Sequence, residues 1–420
     1  MEQRNHLIDF ARVFSMVIVV TFHSLLYSIT DDGGKISVIP WGPGPWLWIV
    51  SWGLAIIPIF FVAAGYANAV VVQHGRDRGE TYFEFLALRG GKLLGPLTLF
   101  TIVYIVVSSV PAWFGLESEA LSKQFAMLLW FLVVYLGLLA ASPLLVRAHE
   151  RFHGFEMLPF LALTIVTDSL AALWQNPNLL WLNLAFVWPL AHQWGIAYYY
   201  GWFRTWRIRW QALLALASAG MIAVLVFGFG YPSTAVGFAD QPQNNLLPPT
   251  TAAIAMGLMQ TCVLGILQRL GVAKTLSEKA SYRLRVANAL ALSTYLWHIP
   301  MIVLSAAICA ALALAFPAIG PVVLSKVFWT LATWALVLTI VPLIARFELR
   351  FIPKQGIPRP WLVCFGYGLV FVGVFEMWQH GAVFHYESLA SSLADILVLS
   401  GIVVSRHAAV EEESTSAAAA

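Results

Sequence analysis

The sequence predicts an all-α, polytopic transmembrane helical bundle: a ten-helix core with about two spans appended at its C-terminal end. Three observations carry that prediction. Hydrophobic residues make up 60% of the 420-residue chain and charged residues only 11%, whereas a soluble chain uses roughly 25% charged residues to cover its surface. Apolar stretches long enough to cross a bilayer recur from one end of the chain to the other. The cations between them alternate sides: with the N-terminus inside, all 24 Lys and Arg residues except Lys35, Lys123 and Lys326 fall on or near the cytoplasmic side, which fixes the orientation and favours an even number of spans.

The twelve expected spans cover residues 10–29, 47–71, 93–112, 125–146, 157–174, 180–202, 211–230, 250–269, 287–314, 321–345, 360–379 and 388–404. Residues 1–345 are expected to form the ten-span domain, 346–404 the two added spans and 405–420 a disordered cytoplasmic tail, since that tail is acidic at its start and then only Ser, Thr and Ala. The first span carries His23 and no small-residue cleavage site follows it, so it is read as a retained span and not as a signal peptide. Cys262, Cys309 and Cys364 stand alone in apolar runs, which predicts neither a disulfide framework nor a zinc site.

Two outer loops differ in kind. Residues 37–48 are rich in Gly, Pro and Trp, which suits either an aromatic anchor at the membrane interface or a lid over an acceptor site. Residues 231–249 include Asp240 and several amides but no cation, as a sugar-binding surface or a plain solvated connection would.

Within the spans the chemistry begins at the first helix. Arg12 and His23 are eleven residues apart, so a helix sets them within about 20° of one face and roughly 16 Å apart along its axis. An ionisable group in a span is costly in lipid and marks a candidate site. Asp168, His192, His298 and Glu376 are the other polar groups placed deep in spans, Glu376 near an outer end. Asp168 and His298 are expected at a depth similar to that of His23. Each histidine reads either as a core imidazole satisfied by a neighbour or as a general base or acyl acceptor. Asp168 is the candidate to hold the second ring nitrogen of His23. No two histidines share an i, i+4 spacing on one span, so metal ligation is not expected. At the cytoplasmic mouth, Arg89-Gly-Gly-Lys92 sets two cations on one helix face, as anchors or, with Arg12, as phosphate ligands.

Taken in order, Asp9-x-x-Arg12-x10-His23, Phe60-Phe61-Val-Ala-Ala-Gly65-Tyr66, Arg89-x-x-Lys92-x-x-x-Pro96, Trp130-Phe131-Leu132 with Pro143, and Tyr295-Leu-Trp-His298-Ile-Pro300 resemble the membrane acyltransferase-3 family over roughly the first ten spans. The resemblance implies an integral membrane O-acyltransferase. Such an enzyme moves an acyl group, commonly acetyl, from cytoplasmic acyl-CoA to a hydroxyl of an envelope glycan, glycolipid or similar acceptor at or beyond the outer face of the cell membrane. It implies the catalytic histidine position for His23, the paired arginine for Arg12, the cation pair for Arg89 and Lys92, and a characteristic late histidine for His298. Its partners would be acyl-CoA, the acceptor and the bilayer, with no nucleic acid. The sequence departs from the family pattern at Ala64, where serine is common, at Lys92, where arginine is usual, and in 130–135, which lack a glutamate that many sugar-modifying members carry. A transporter and a non-catalytic membrane partner remain as rival classes; no internal repeat of the transporter kind is present.

Overall fold

The computed structural model describes residues 5–42, 44, 47–116, 119–353 and 357–410. The chain is mostly helical, and among the described residues eleven helical stretches are long and apolar enough to cross a membrane. Arg4, Lys354, the centre of the 37–48 loop at positions 43, 45 and 46, and tail residues 411–420 lie outside the described residues.

The first helix, α1 (His6–Leu25), starts at Asn5, whose side chain accepts the backbone N–H groups of Leu7 and Ile8, satisfying two of the donors a helix start leaves open. It ends four residues before the expected limit of the first span. Residues 27–40 instead form an antiparallel hairpin, β1 (Tyr27–Asp32) and β2 (Lys35–Pro40), in which Asp32 faces Lys35. Gly33 and Gly34 occupy the turn with φ of 62° and 90°, the left-handed pair that a two-residue hairpin demands. Asp31 accepts the N–H of Gly34 at 2.8 Å. The second span is broken into α2 (Trp48–Leu54) and α3 (Ile57–Asp77), because Pro58 has no N–H to donate to the Leu54 carbonyl four residues back and its ring excludes that carbonyl.

Next come α4 (Tyr82–Trp113), opened by a Thr81/Glu84 capping box, then α5 (Glu119–Ala126), α6 (Leu129–Phe152) and α7 (Leu158–Leu173). The expected helix over 180–202 is corrected by the structure: Pro177–Ala185 is a 3₁₀ run and only α8 (Val187–Tyr199), 13 residues long, is α-helical. Pro189 provides the reason, since its ring excludes the helical carbonyl four residues back, at Ala185, and it has no N–H to donate there. The remaining helices are α9 (Ile208–Phe229), α10 (Thr251–Arg269), α11 (Glu278–Ala289), α12 (Ala291–Ala315), α13 (Gly320–Val323), α14 (Lys326–Glu348), α15 (Pro360–His380) and α16 (Leu389–His407). Two-residue strands β3 (Ile357–Pro358) and β4 (Ala409–Val410) pair with each other, so part of the 405–420 segment is ordered helix and strand.

The chain forms two compact units. One comprises Met1–Val71, Leu144–Ala291 and Met301–Leu336; the other comprises Val72–Pro143, Leu292–Pro300 and Val337–Ala420. In the first, α3 and α8 cross in close backbone contact: a methyl group on Gly65 would strike the carbonyl of His192, and one on Gly195 the carbonyl of Val62. In the second, α15 and α16 pack along each other through Gly366, Gly373 and Gly401, where an added Cβ would lie 2.5–2.6 Å from Ser405 Oγ, Val398 N and Val370 N respectively. Small residues let helices in lipid gain close van der Waals contact where burial from water supplies no drive.

Candidate functional site

In the first unit the candidate site begins on α1. Asn5 Nδ2 donates to Gln268 Oε1 of α10 at 3.0 Å, and Asn288 Nδ2 of α11 donates to the carbonyl of Asp9 at 3.1 Å. The start of α1 is therefore pinned by two polar contacts at the end that carries Arg12, which is half-buried. Its far end is held as firmly. Trp334 of α14 donates its indole N–H to Thr21 Oγ1 at 3.1 Å. Lys326 Nζ donates to the carbonyls of Leu25 and Tyr27 at 3.0 and 2.6 Å and lies 4.2 Å from the centre of the Trp41 ring. A cation on these terminal carbonyls complements the negative end of the helix dipole.

His23 sits between these two ties, half-buried in the last turn of α1, with the Phe22 ring 5.6 Å from its own. Phe22 in turn meets Phe238 of the 231–249 loop edge-on at 5.8 Å. That loop and the 37–48 loop, separate stretches in the sequence, are joined at Gly44: Asp240 accepts the N–H of Gly44 at 2.9 Å and Gln241 Nε2 donates to its carbonyl at 3.4 Å. The 231–249 loop is also tied to α2, since Ala235 N donates to Ser51 Oγ and Trp52 donates to the carbonyl of Ser233, both at 2.9 Å. Both loops thus reach the His23 end of α1, the 231–249 loop through Phe238 on Phe22 and the 37–48 loop through Trp41 on Lys326.

Asp168 is buried in α7, and three donors engage its carboxylate. Asn183 Nδ2 binds Oδ1 at 2.7 Å, while the Tyr231 hydroxyl and the backbone N–H of Thr251 both bind Oδ2 at 2.8 Å. His23 is not among these donors. Thr251 is the first residue of α10, whose own N-cap side chain makes no capping bond, so Asp168 supplies the anionic cap from a neighbouring helix. Burial and the adjacent Asp168 carboxylate both push the Tyr231 hydroxyl above its ordinary pKa, which keeps it a donor. His192, fully buried on α8, receives Asn68 Nδ2 at 3.1 Å from its Nε2.

Arg89, Lys92 and His298 fall in the second unit. Arg89 is half-buried on α4 and its Nε has no hydrogen-bond partner among the described residues, while Lys92 is exposed. Gly90 and Gly95 open the same helix to close approach, Gly90 by the Tyr367 ring and Gly95 by the Glu348 carbonyl. His298 is fully buried on α12, and its Nδ1 donates to the Tyr295 carbonyl at 2.5 Å. That bond puts the proton on Nδ1 and leaves Nε2 as the basic nitrogen. On the same helix, the adjacent Trp297 donates to Glu348 Oε1 at 2.8 Å and Ser293 donates to Glu348 Oε2. Glu348 is only 2% exposed. Nothing in the sequence marks it, because it stands between Arg346 and Arg350 at the end of a span and looks like one more surface charge.

The chain from residue 5 to residue 341 matches the family model of an acyltransferase domain, acyltransferase-3. No curated protein and no solved structure matches the chain. The matched stretch includes Arg12, His23, Arg89, Lys92, Asp168, His192 and His298, while Glu348 and Glu376 lie beyond it, as do α15 and α16.

Proposed function

The chain belongs to the acyltransferase-3 family and is an integral membrane acyltransferase, and from that premise we propose that it moves an acyl group, commonly acetyl, from cytoplasmic acyl-CoA to a hydroxyl of an envelope glycan, glycolipid or similar acceptor. The observation that carries this reading is α1 itself: one rigid helix pinned at both ends, with a guanidinium near its start and an imidazole in its last turn. A coenzyme A nucleotide is anionic and stays on the cytoplasmic side. Its thin pantetheine arm is comparable in length to the roughly 16 Å rise from Arg12 to His23, so the thioester reaches His23 without the nucleotide entering the membrane.

In this scheme His23 removes the proton from the acceptor hydroxyl as its oxygen attacks the thioester carbonyl. The C–S bond breaks, the ester forms, and the proton passes to the departing thiolate. An acyl-histidine intermediate is the alternative route through the same residue. Arg12, Arg89 and Lys92 are each assigned to the donor's phosphates on their chemistry. Asp168 is assigned to holding α10, and His298, two residues before Pro300 on α12, to acting on the reaction through position. The cation distribution supports placement in the cell membrane with both termini cytoplasmic.

The test is thioester cleavage by purified protein supplied with acetyl-CoA, together with mass analysis of envelope glycans and lipids from cells with and without the gene. The expected result is His23-dependent loss of the thioester and one acyl increment missing from one envelope component. Acceptor flux across vesicles without any thioester loss would replace this reading with transport.

A further inference from the structure

The helix α11 (Glu278–Ala289) is the least apolar of the long helices, and no residue in it is buried. It ends a stretch, 269–285, that holds Arg269, Lys274, Lys279, Arg283 and Arg285 against the single acid Glu278. Among the described residues no carboxylate pairs with Lys279, Arg283 or Arg285. The helix borders a cleft of about 590 Å³ lined by Leu276, Glu278, Lys279, Ser281, Tyr282 and Arg285. Arg285 donates to Ser281 Oγ at 3.1 Å and lies 6.0 Å from the centre of the Tyr282 ring, which is 61% exposed.

From this chemistry we infer that the α11 cleft binds the phosphorylated adenosine end of the acyl-CoA donor, with Lys279 and Arg285 on phosphate oxygens and the Tyr282 ring under the adenine. Two unpaired cations and a hydroxyl suit phosphate, and an exposed aromatic face beside them suits a planar base. Location agrees. Arg285 lies one turn from Asn288, whose amide grips the carbonyl of Asp9, and Asp9 lies one turn from Arg12. The cleft is therefore attached directly to the entrance of the helix that bears His23. The inference rests on the donor being an acyl-CoA, and it adds a recognition element to the Arg12 entrance.

Anionic lipid headgroups offer the same phosphate chemistry, so the experiment separates the two sources. Full-length protein in discs of neutral phosphatidylcholine is titrated with acetyl-CoA and with adenosine 3′,5′-bisphosphate, a probe that carries the base and phosphates without the acyl arm. Wild type should bind both. The double variant Lys279→Gln/Arg285→Gln should bind the bisphosphate at least about tenfold more weakly, the effect of losing more than about 1.4 kcal/mol of charge-assisted contact. Tyr282→Leu should weaken both ligands and Tyr282→Phe should restore them, since phenylalanine keeps the stacking face. All of these positions are exposed or half-buried, so folding is not at stake. Unchanged bisphosphate affinity in the variants, no bisphosphate binding by wild type, or an effect seen only when phosphatidylglycerol is added to the discs would overturn the inference. Failure of wild type to bind or cleave acetyl-CoA would instead overturn the donor assignment itself.

Discussion

A carboxylate that accepts three hydrogen bonds cannot become an amide without leaving a donor unmet. Asp168→Asn should therefore lower the unfolding midpoint of the solubilised protein, at a cost of about 1–3 kcal/mol for the orphaned buried group, and any loss of turnover should follow that instability. An unchanged midpoint with slow turnover would instead tie Asp168 to His23. His23→Ala is the contrasting variant. It should insert and bind acyl-CoA as wild type does while acyl transfer disappears, because the entrance cations are untouched; near-normal turnover would remove His23 from the reaction. At this scale the sequence was legible for what a residue can do and blind to what it touches. Asp168 and His23 look like partners by depth, yet the carboxylate is filled by Asn183, Tyr231 and Thr251, which arrive from three other parts of the chain.

Helices and strands show where local signals suffice and where they fail. The Asp-Asp-Gly-Gly sequence at 31–34 carries a hairpin signal, whereas the expectation from hydropathy runs the first span to residue 29, into the opening residues of β1, and leaves the rest as an irregular loop. Over 180–202, hydropathy averages across Pro189 without registering that it breaks the helix. Gly65, by contrast, belonged to a recognisable motif whose purpose only packing explains. Gly65→Ala should drive a methyl into the His192 carbonyl on α8 and destabilise the protein by about 1–3 kcal/mol, measurable as a lower melting temperature and poorer yield, whereas Ala64→Ser on the same helix should be nearly neutral. Lys326 offers a test of how the C-terminal end of α1 is held. Lys326→Met keeps the stem but loses the bonds to the Leu25 and Tyr27 carbonyls, and turnover should fall a few-fold with donor affinity unchanged. A fall in donor affinity would show that the α1 entrance moves as well.

For the whole molecule, orientation is the property with the most direct measurement. Cysteines placed at positions 205 and 415, in a background lacking Cys262, Cys309 and Cys364, should both resist a membrane-impermeant thiol reagent in intact cells. Labelling at either site would break the alternation on which the topology rests. The sequence by itself determined that this is a polytopic helical membrane protein, where nearly all its long helices lie and to which family it belongs, because lipid imposes long apolar runs and membrane insertion sorts cations, both of which are written residue by residue. Only the tertiary structure decided which polar groups meet: that α1 is tied down at both ends, that the 37–48 and 231–249 loops bond to each other at Gly44, and that α11 sets a cationic aromatic cleft beside the start of α1. Those contacts join residues separated by scores to hundreds of positions, and in a chain this apolar they depend on a few amides, hydroxyls and charges whose partners no local pattern encodes.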